Sequence, residues 1–481
     1  MKFPLVASIL VLPGLIAAQS AIFSKEEYQS GNVHMRNLAR KEASFSRQRN
    51  AGRFNKGRWR SFHERTHLRG RRSVPCRNGQ AVVEEGNPEM TFQCKNIDFY
   101  DFVSHADLGS WTGEGSDCWG WVSRTGREFI AIGQNDGTAF AEITSKGKLV
   151  YLGRLPQQSV SSIWHDMKVF KKNYMAIGSE AADHGIQIFD MTKLLDPSLI
   201  SSPKNFSITD DVTGFFGGLP GGTLHNIVAH EGKDYIAAVG ARPREDECAA
   251  GIIYIDVSDP SNPFQTGCSS QDGYTHDAQC VTYKGPDTRY TGHDICYAFN
   301  EDTFTIYDST NRTGVGAGTL LSRTSYVGAS YTHQGWLVDT EWQQFLLSDD
   351  ELDELFEVEP AADGYSAMYI WDISDLEAPV NTGYHKAAAR SIDHNLYVHH
   401  GLAYQSNYGS GLRVLDVSSL PKDPTGGSIF EKAFFDIHPE DDDDLTGEVD
   451  FVGTWSHFLF PSGFIFVNTI ERGGFVLKMK K

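Results

Sequence analysis

Gly251-Ile-Ile-Tyr-Ile-Asp256-Val-Ser-Asp-Pro260 alternates apolar residues up to an aspartate and then breaks at Ser-Asp-Pro. Period-2 alternation running into turn residues specifies a half-buried β-strand, and the aspartate is placed to accept from the backbone of the turn that follows. The phrase returns at Asp190 (GIQIFDMTKL), Asp308 (DTFTIYDST), Asp372 (AMYIWDISDLEAP) and Asp416 (GLRVLDVSSL), with weaker copies at Glu142 and Lys478. Seven copies about 56 residues apart make an array.

A second signal precedes most copies: a histidine followed by a small polar residue, at His165-Asp166, His225-Asn226, His276-Asp277, His333-Gln334 and His394-Asn395. Each opens a strand run, followed by a turn, a second strand such as Asp234-Tyr-Ile-Ala-Ala-Val-Gly240, the Asp-ended strand and a final apolar stretch. Four short strands per unit is the composition of a propeller blade, so the expected fold is an all-β, seven-bladed β-propeller. The first and seventh units carry Trp119-Gly120 and Trp455-Ser456 in place of the histidine. The seventh unit lacks a fourth strand, while residues 97–108 offer a strand with no blade of its own; that strand is expected to complete the last blade and close the ring. No long amphipathic helix stands out.

Residues 1–18 have the layout of a secretory signal peptide: Lys2, an apolar run from Leu5 to Ile16, then small residues. The run is shorter than a membrane span and no other stretch approaches one, so no membrane span is expected. Residues 19–72 carry fourteen Lys or Arg against four Glu and few large aliphatics. Such composition does not bury enough apolar surface to fold alone. Ending at the dibasic Arg71-Arg72, it reads as a basic pro-segment, disordered or removed, with a retained basic tail as the alternative. The leader accounts for +1 and this segment for +10 of a chain total of −19, which leaves −30 on residues 73–481. So acidic a body argues against nucleic acid and anionic membrane and favours cations or basic partners.

All seven cysteines follow the dibasic site. In an oxidising compartment near neighbours pair as Cys76 with Cys94, Cys248 with Cys268 and Cys280 with Cys296, leaving Cys118 as a buried thiol. Asn205-Phe-Ser207 and Asn311-Arg-Thr313 are glycan acceptor sequences.

Several stretches together resemble the secreted choice-of-anchor B family, whose members carry LVIVD-type propeller repeats. They are Val74-Pro-Cys76-Arg-Asn-Gly79, Trp119-Gly-Trp121, Gly185-Ile-Gln-Ile-Phe-Asp190, Leu347-Ser-Asp-Asp350-Glu-Leu-Asp-Glu354, Asp393-His394-Asn395-Leu-Tyr397, Ser406-Asn407-Tyr408 and Pro461-Ser-Gly463. The similarity runs in order over about residues 74–481. It implies an extracellular propeller and brings no established reaction. Some members bear a C-terminal anchoring extension; here the last strand runs out at Lys481, which implies release.

Three sets of residues are candidates for function. His165, His225, His276, His333 and His394 converge on the channel if they occupy equivalent positions, either bonding blade to blade or ligating a transition metal. Asp349, Asp350, Glu351, Asp353 and Glu354, together with Glu301 and Asp302, offer hard oxygen ligands for calcium, without the spacing of an EF-hand loop. Trp111, Trp119, Trp121, Trp336 and Trp455 serve either the core or a sugar-stacking surface. No G-x-S-x-G elbow or H-E-x-x-H motif occurs. The sequence therefore points to a secreted, monomeric binding module for an extracellular protein or wall polymer. A metal-dependent hydrolase or lactonase acting in the channel is the alternative.

Overall fold

The computed structural model describes residues 21–62, 73–230, 232–441 and 449–480. The leader at 1–18 and the Arg71-Arg72 site lie outside the described residues. Among the described residues the main strands form seven sheets, one per blade of a β-propeller. In each, the Asp-ended copy or its degenerate equivalent is the third strand counted from the channel, as Ile252–Asp256 is between Tyr235–Val239 and Phe264–Ser269.

The aspartates fasten the turn beyond their strands. Asp256 Oδ1 accepts from the Ser258 amide at 2.8 Å. The same bond recurs from Thr192 to Asp190 (2.9 Å), Thr310 to Asp308 (3.0 Å), Ser374 to Asp372 (2.9 Å) and Ser418 to Asp416 (3.2 Å). Just before the aspartate the register to the fourth strand shifts, at Tyr254/Ile255, Ile306/Tyr307, Ile370/Trp371 and Val414/Leu415. A bulge there adds twist, which a propeller blade needs between its inner and outer edges.

Ring closure follows the sequence expectation. Ile97–Ser104 pairs antiparallel with Gly473–Met479 as the fourth strand of the seventh blade. Residues just before it, Gln80–Val82 and Thr91–Lys95, extend the sixth blade on Phe430–Phe435. Residues 74–104 therefore tie blades six and seven together, and their core joins Phe92, Phe99 and Phe102 to Phe435 and Phe475. The expected Cys76–Cys94, Cys248–Cys268 and Cys280–Cys296 disulfides are all formed, and Cys118 is a free buried thiol. Asn205 and Asn311 are both exposed.

Of the two expectations for the basic segment, disorder and removal, the fold of the uncut chain bears on the first alone. Instead of being disordered, it forms helices α1 (Lys25–Gln29) and α2 (Asn32–Asn50) and then an irregular stretch to Phe62. The physical reason is complementary charge joined to a set of buried apolar side chains. Arg47 meets Asp450 and Arg49 meets Glu114, both at 2.7 Å, while Arg53 pairs with Glu440 and Arg58 with Glu89. Apolar contact comes from the buried side chains of Tyr28, Val33, Phe45, Phe54, Trp59 and Phe62, the last packed edge-on against Phe99.

Among the described residues no helix is long and apolar enough to cross a membrane.

Candidate functional site at the channel mouth

The histidine signal marks the innermost edge of the ring. His276 donates from Nδ1 to the carbonyl of His333 at 3.0 Å, His333 to that of His394 at 3.1 Å, and His394 to that of Trp455 at 2.6 Å. Each bond spans two neighbouring blades. The imidazoles of His225, His276, His333 and His394 form an arc with successive ring centroids 4.1, 4.4 and 4.6 Å apart. His225 instead engages Glu180, and His165 stands edge-on to His184. Burial drives His276 and His333 well below the usual imidazole range and His394 down to about 3. These rings are neutral, with the proton on Nδ1 because its carbonyl partners can only accept, so Nε2 keeps its lone pair.

In the first blade the equivalent position is Ser116-Asp117, not Trp119-Gly120. Ser116 Oγ reaches the His165 carbonyl, and Asp117 stands beside Asp166 against Lys168. Trp455 does occupy the seventh-blade position, since it supplies the carbonyl to His394. Deeper in the channel, Lys168 Nζ lies 2.6 Å from Asp166 and 4.6 Å from the Trp119 ring centroid. Asn226, Asp277, Asn395 and Tyr397 complete this layer, and burial pushes the Asp277 carboxyl up to about 7. The free space is about 20 Å³, room for a water molecule. Of the remaining tryptophans, Trp121 is core, Trp336 packs on Tyr397, and Trp111 is exposed.

The acidic run is not a solvated loop. Asp349 and Asp350 end the second strand of blade five, and Glu351, Asp353 and Glu354 follow it inward, all under 5 % exposed. Asp350 accepts from the amides of Ser330 (2.7 Å) and Tyr331 (2.8 Å) and from the Tyr326 hydroxyl (2.8 Å). Asp349 accepts from the Gln334 amide, Asp353 from the Tyr369 hydroxyl, and Glu354 from the Asp393 amide. In the corresponding loop of blade four, Glu301 grips Arg244 in bidentate fashion at 2.8 and 3.0 Å, and Asp302 accepts from Arg323. Both oxygens of the buried Asp393 lack a hydrogen-bond partner, as does one oxygen each of Asp349, Asp353 and Glu354.

Over this surface lies α2. His34, Asn37, Lys41, Ser44, Phe45 and Gln48 face inward at three- and four-residue spacing, while Met35 faces solvent. Its buried face is therefore mostly polar. His34 bonds the Tyr331 hydroxyl at 2.7 Å, Asn37 donates to Glu351 Oε2 at 2.9 Å, and Gln48 donates to the Phe451 carbonyl at 3.0 Å. At the centre, Lys41 Nζ sits 2.7 Å from Glu351 Oε1, with the two side chains 2 % and 0 % exposed. The Tyr408 hydroxyl donates to the same Glu351 oxygen at 2.7 Å. Burial alone would raise the Glu351 carboxyl, but the Lys41 ammonium against it outweighs burial and holds it below the ordinary carboxylate range.

Sequence reasoning found the arc of histidines and Glu351 and missed Lys41, Asn37, His34 and Lys168. The available signal was the spacing of residues 34, 37, 41, 44 and 48, which reads as a helix face only if polar residues are allowed to form the buried stripe.

The chain matches no protein-family model and no curated protein. Solved structures similar to it include the computationally designed Ika8 protein, at 11 % identity and a TM-score of 0.44, covering 86 % of this chain and 98 % of that one. Another is the β-propeller domain of Myceliophteria thermophila Cps50 (Swd1), at 10 % identity and a TM-score of 0.44, covering 77 % of this chain and 98 % of that one.

Proposed function

We propose that the protein is a secreted propeller of the choice-of-anchor B type, an extracellular binding module made with its channel mouth covered by its own N-terminal segment. The observation that carries this reading is the docking of α2, whose Lys41 is fully enclosed against Glu351. A leader-like sequence at 1–18 and three disulfides suit an oxidising, extracellular setting. The dibasic Arg71-Arg72 offers the cut that turns α2 from part of the chain into a ligand able to leave. The mouth then receives a basic group from an extracellular protein or wall polymer, because it is anionic and already shaped around a lysine.

The test starts from the full chain, cut after Arg72 and gel-filtered at high salt to strip the segment. A labelled peptide of residues 21–62 should bind the stripped body one to one and the uncut protein not at all. Equal binding by both, or by neither, overturns the reading.

A further inference from the structure

We propose that the mouth contains a divalent transition-metal site formed by His333, Glu351 and His394, and that the Lys41 ammonium occupies the cation's place while α2 is docked. Glu351 Oε1 lies 3.6 Å from His394 Nε2 and 3.9 Å from His333 Nε2, and the three candidate donor atoms fall within 4.8 Å of one another. Bonds of about 2.0–2.1 Å in a tetrahedral site put neighbouring donors about 3.3 Å apart. The two Glu351–histidine separations exceed this by about 0.3 and 0.6 Å, and the histidine pair by no more than about 1.5 Å, a closure within reach of side-chain rotation.

The second layer is already built. His333 and His394 are each fixed through Nδ1 to the carbonyl of the next blade, which leaves Nε2 as the donor, the usual arrangement behind a metal-bound imidazole. Two imidazoles and one carboxylate leave a fourth position open, as in sites that bind water or substrate. Borderline metals such as zinc or cobalt suit this donor set better than calcium does.

Unsatisfied carboxyl oxygens supply the second, independent argument. Asp349, Asp350, Glu351, Asp353, Glu354 and Asp393 are all buried around the mouth of blade five, and several of their oxygens have no hydrogen-bond partner. Lys41 is the cation seated on this set. When it leaves, Glu351 also loses the Asn37 bond, since both come from α2. Uncovered Glu351 keeps the Tyr408 hydroxyl as a partner and has acceptor capacity free for another cation beside His333 and His394.

The inference rests on the proposed uncovering of the mouth, but Lys41 variants test it with α2 still attached. Zinc uptake by elemental analysis and the visible spectrum of added cobalt are measured on the full chain, on Lys41→Ala and on Lys41→His, with folding checked by thermal melting. The full chain should take up no stoichiometric metal. Lys41→Ala should bind one equivalent with a four-coordinate cobalt spectrum, and adding His394→Gln should abolish it. Lys41→His replaces the ammonium with a neutral imidazole and should also bind metal, which keeps the test open if Lys41→Ala folds poorly. Uptake by the unmodified full chain, no uptake by either folded variant, or uptake indifferent to His394→Gln overturns the site. If instead the segment never leaves after cutting while the variants bind metal, the binding-module reading fails and the metal site stands.

Discussion

At the residue scale, carboxylates do different work depending on their neighbours and their place in the blade. Asp256 is a fastener: it accepts from the Ser258 amide at 2.8 Å and the Ser258 hydroxyl at 2.5 Å at the edge of the blade. Asp256→Ala should cost about 1 kcal/mol in denaturant unfolding and leave the mouth untouched. A loss several times larger would mean that the aspartate does more than close its turn. Glu471, in the mouth loop of blade seven, is instead fully buried beside His438 at 2.9 Å, with Glu440, Asp441 and Arg472 around the pair. Burial would raise the Glu471 carboxyl, but His438, Arg472 and the Gly453 amide bring it down to about 2. Burial would lower the His438 imidazole, but Glu471, Glu440 and Asp441 raise it above 6.5. The Glu471 contribution is complete above its ordinary value of 4.5 and is lost as pH falls through about 2. The His438 contribution is complete below 6.5 and is lost as pH rises through its raised value. The stability difference between wild type and His438→Gln should therefore peak between 4.5 and 6.5. A difference that does not vary with pH would show that the pair is not ionised in the fold.

At the scale of elements, the closing strand and α2 are opposites. Ile97–Ser104 was legible because its alternation is that of every other strand and because the seventh unit was short by one. It is held by apolar burial, so Phe99→Ala, which empties a fully buried site among Phe92, Phe435 and Phe475, should cost about 3–5 kcal/mol in equilibrium unfolding. A loss below about 1 kcal/mol would contradict its role in closing the ring. Helix α2 was not legible, because its buried face is mostly polar and its stability comes from a partner surface hundreds of residues away, as with Asn37 to Glu351 and Ser44 to Phe451. Local composition describes such a segment as unable to fold alone, which leaves open what it does on a complementary acidic body. Since exposed ion pairs are screened by salt, the cut segment should co-elute with the body at low ionic strength and separate at high. Co-elution under both conditions would place its retention in the enclosed Lys41–Glu351 pair and in the apolar contacts of Tyr28, Val33, Phe45, Phe54, Trp59 and Phe62 instead.

For the whole molecule, the repeat phrase pointed to the propeller, the aspartate turns and the third strand of each blade, and near-neighbour cysteine spacing pointed to the disulfides that the structure contains. Both are local or periodic signals, so one sequence carries them. The candidate site was legible only in part: the arc of His276, His333 and His394 repeats, whereas the meeting of Glu351 with Lys41 joins a single loop to a single helix far away in the chain. The proposed site lies where the repeats differ, in the mouth loops of which α2 touches Glu301 through His34 and Glu351 through Asn37 and Lys41. The claim on which the rest depends is that α2 is docked there, and amide hydrogen exchange on the full chain tests it most directly. Residues 33–48 should exchange as slowly as a packed helix, and Lys41→Glu, which sets a second carboxylate against Glu351, should speed them selectively while the blades stay protected. Exchange of residues 33–48 at the rate of an unstructured chain in the wild type would contradict the account.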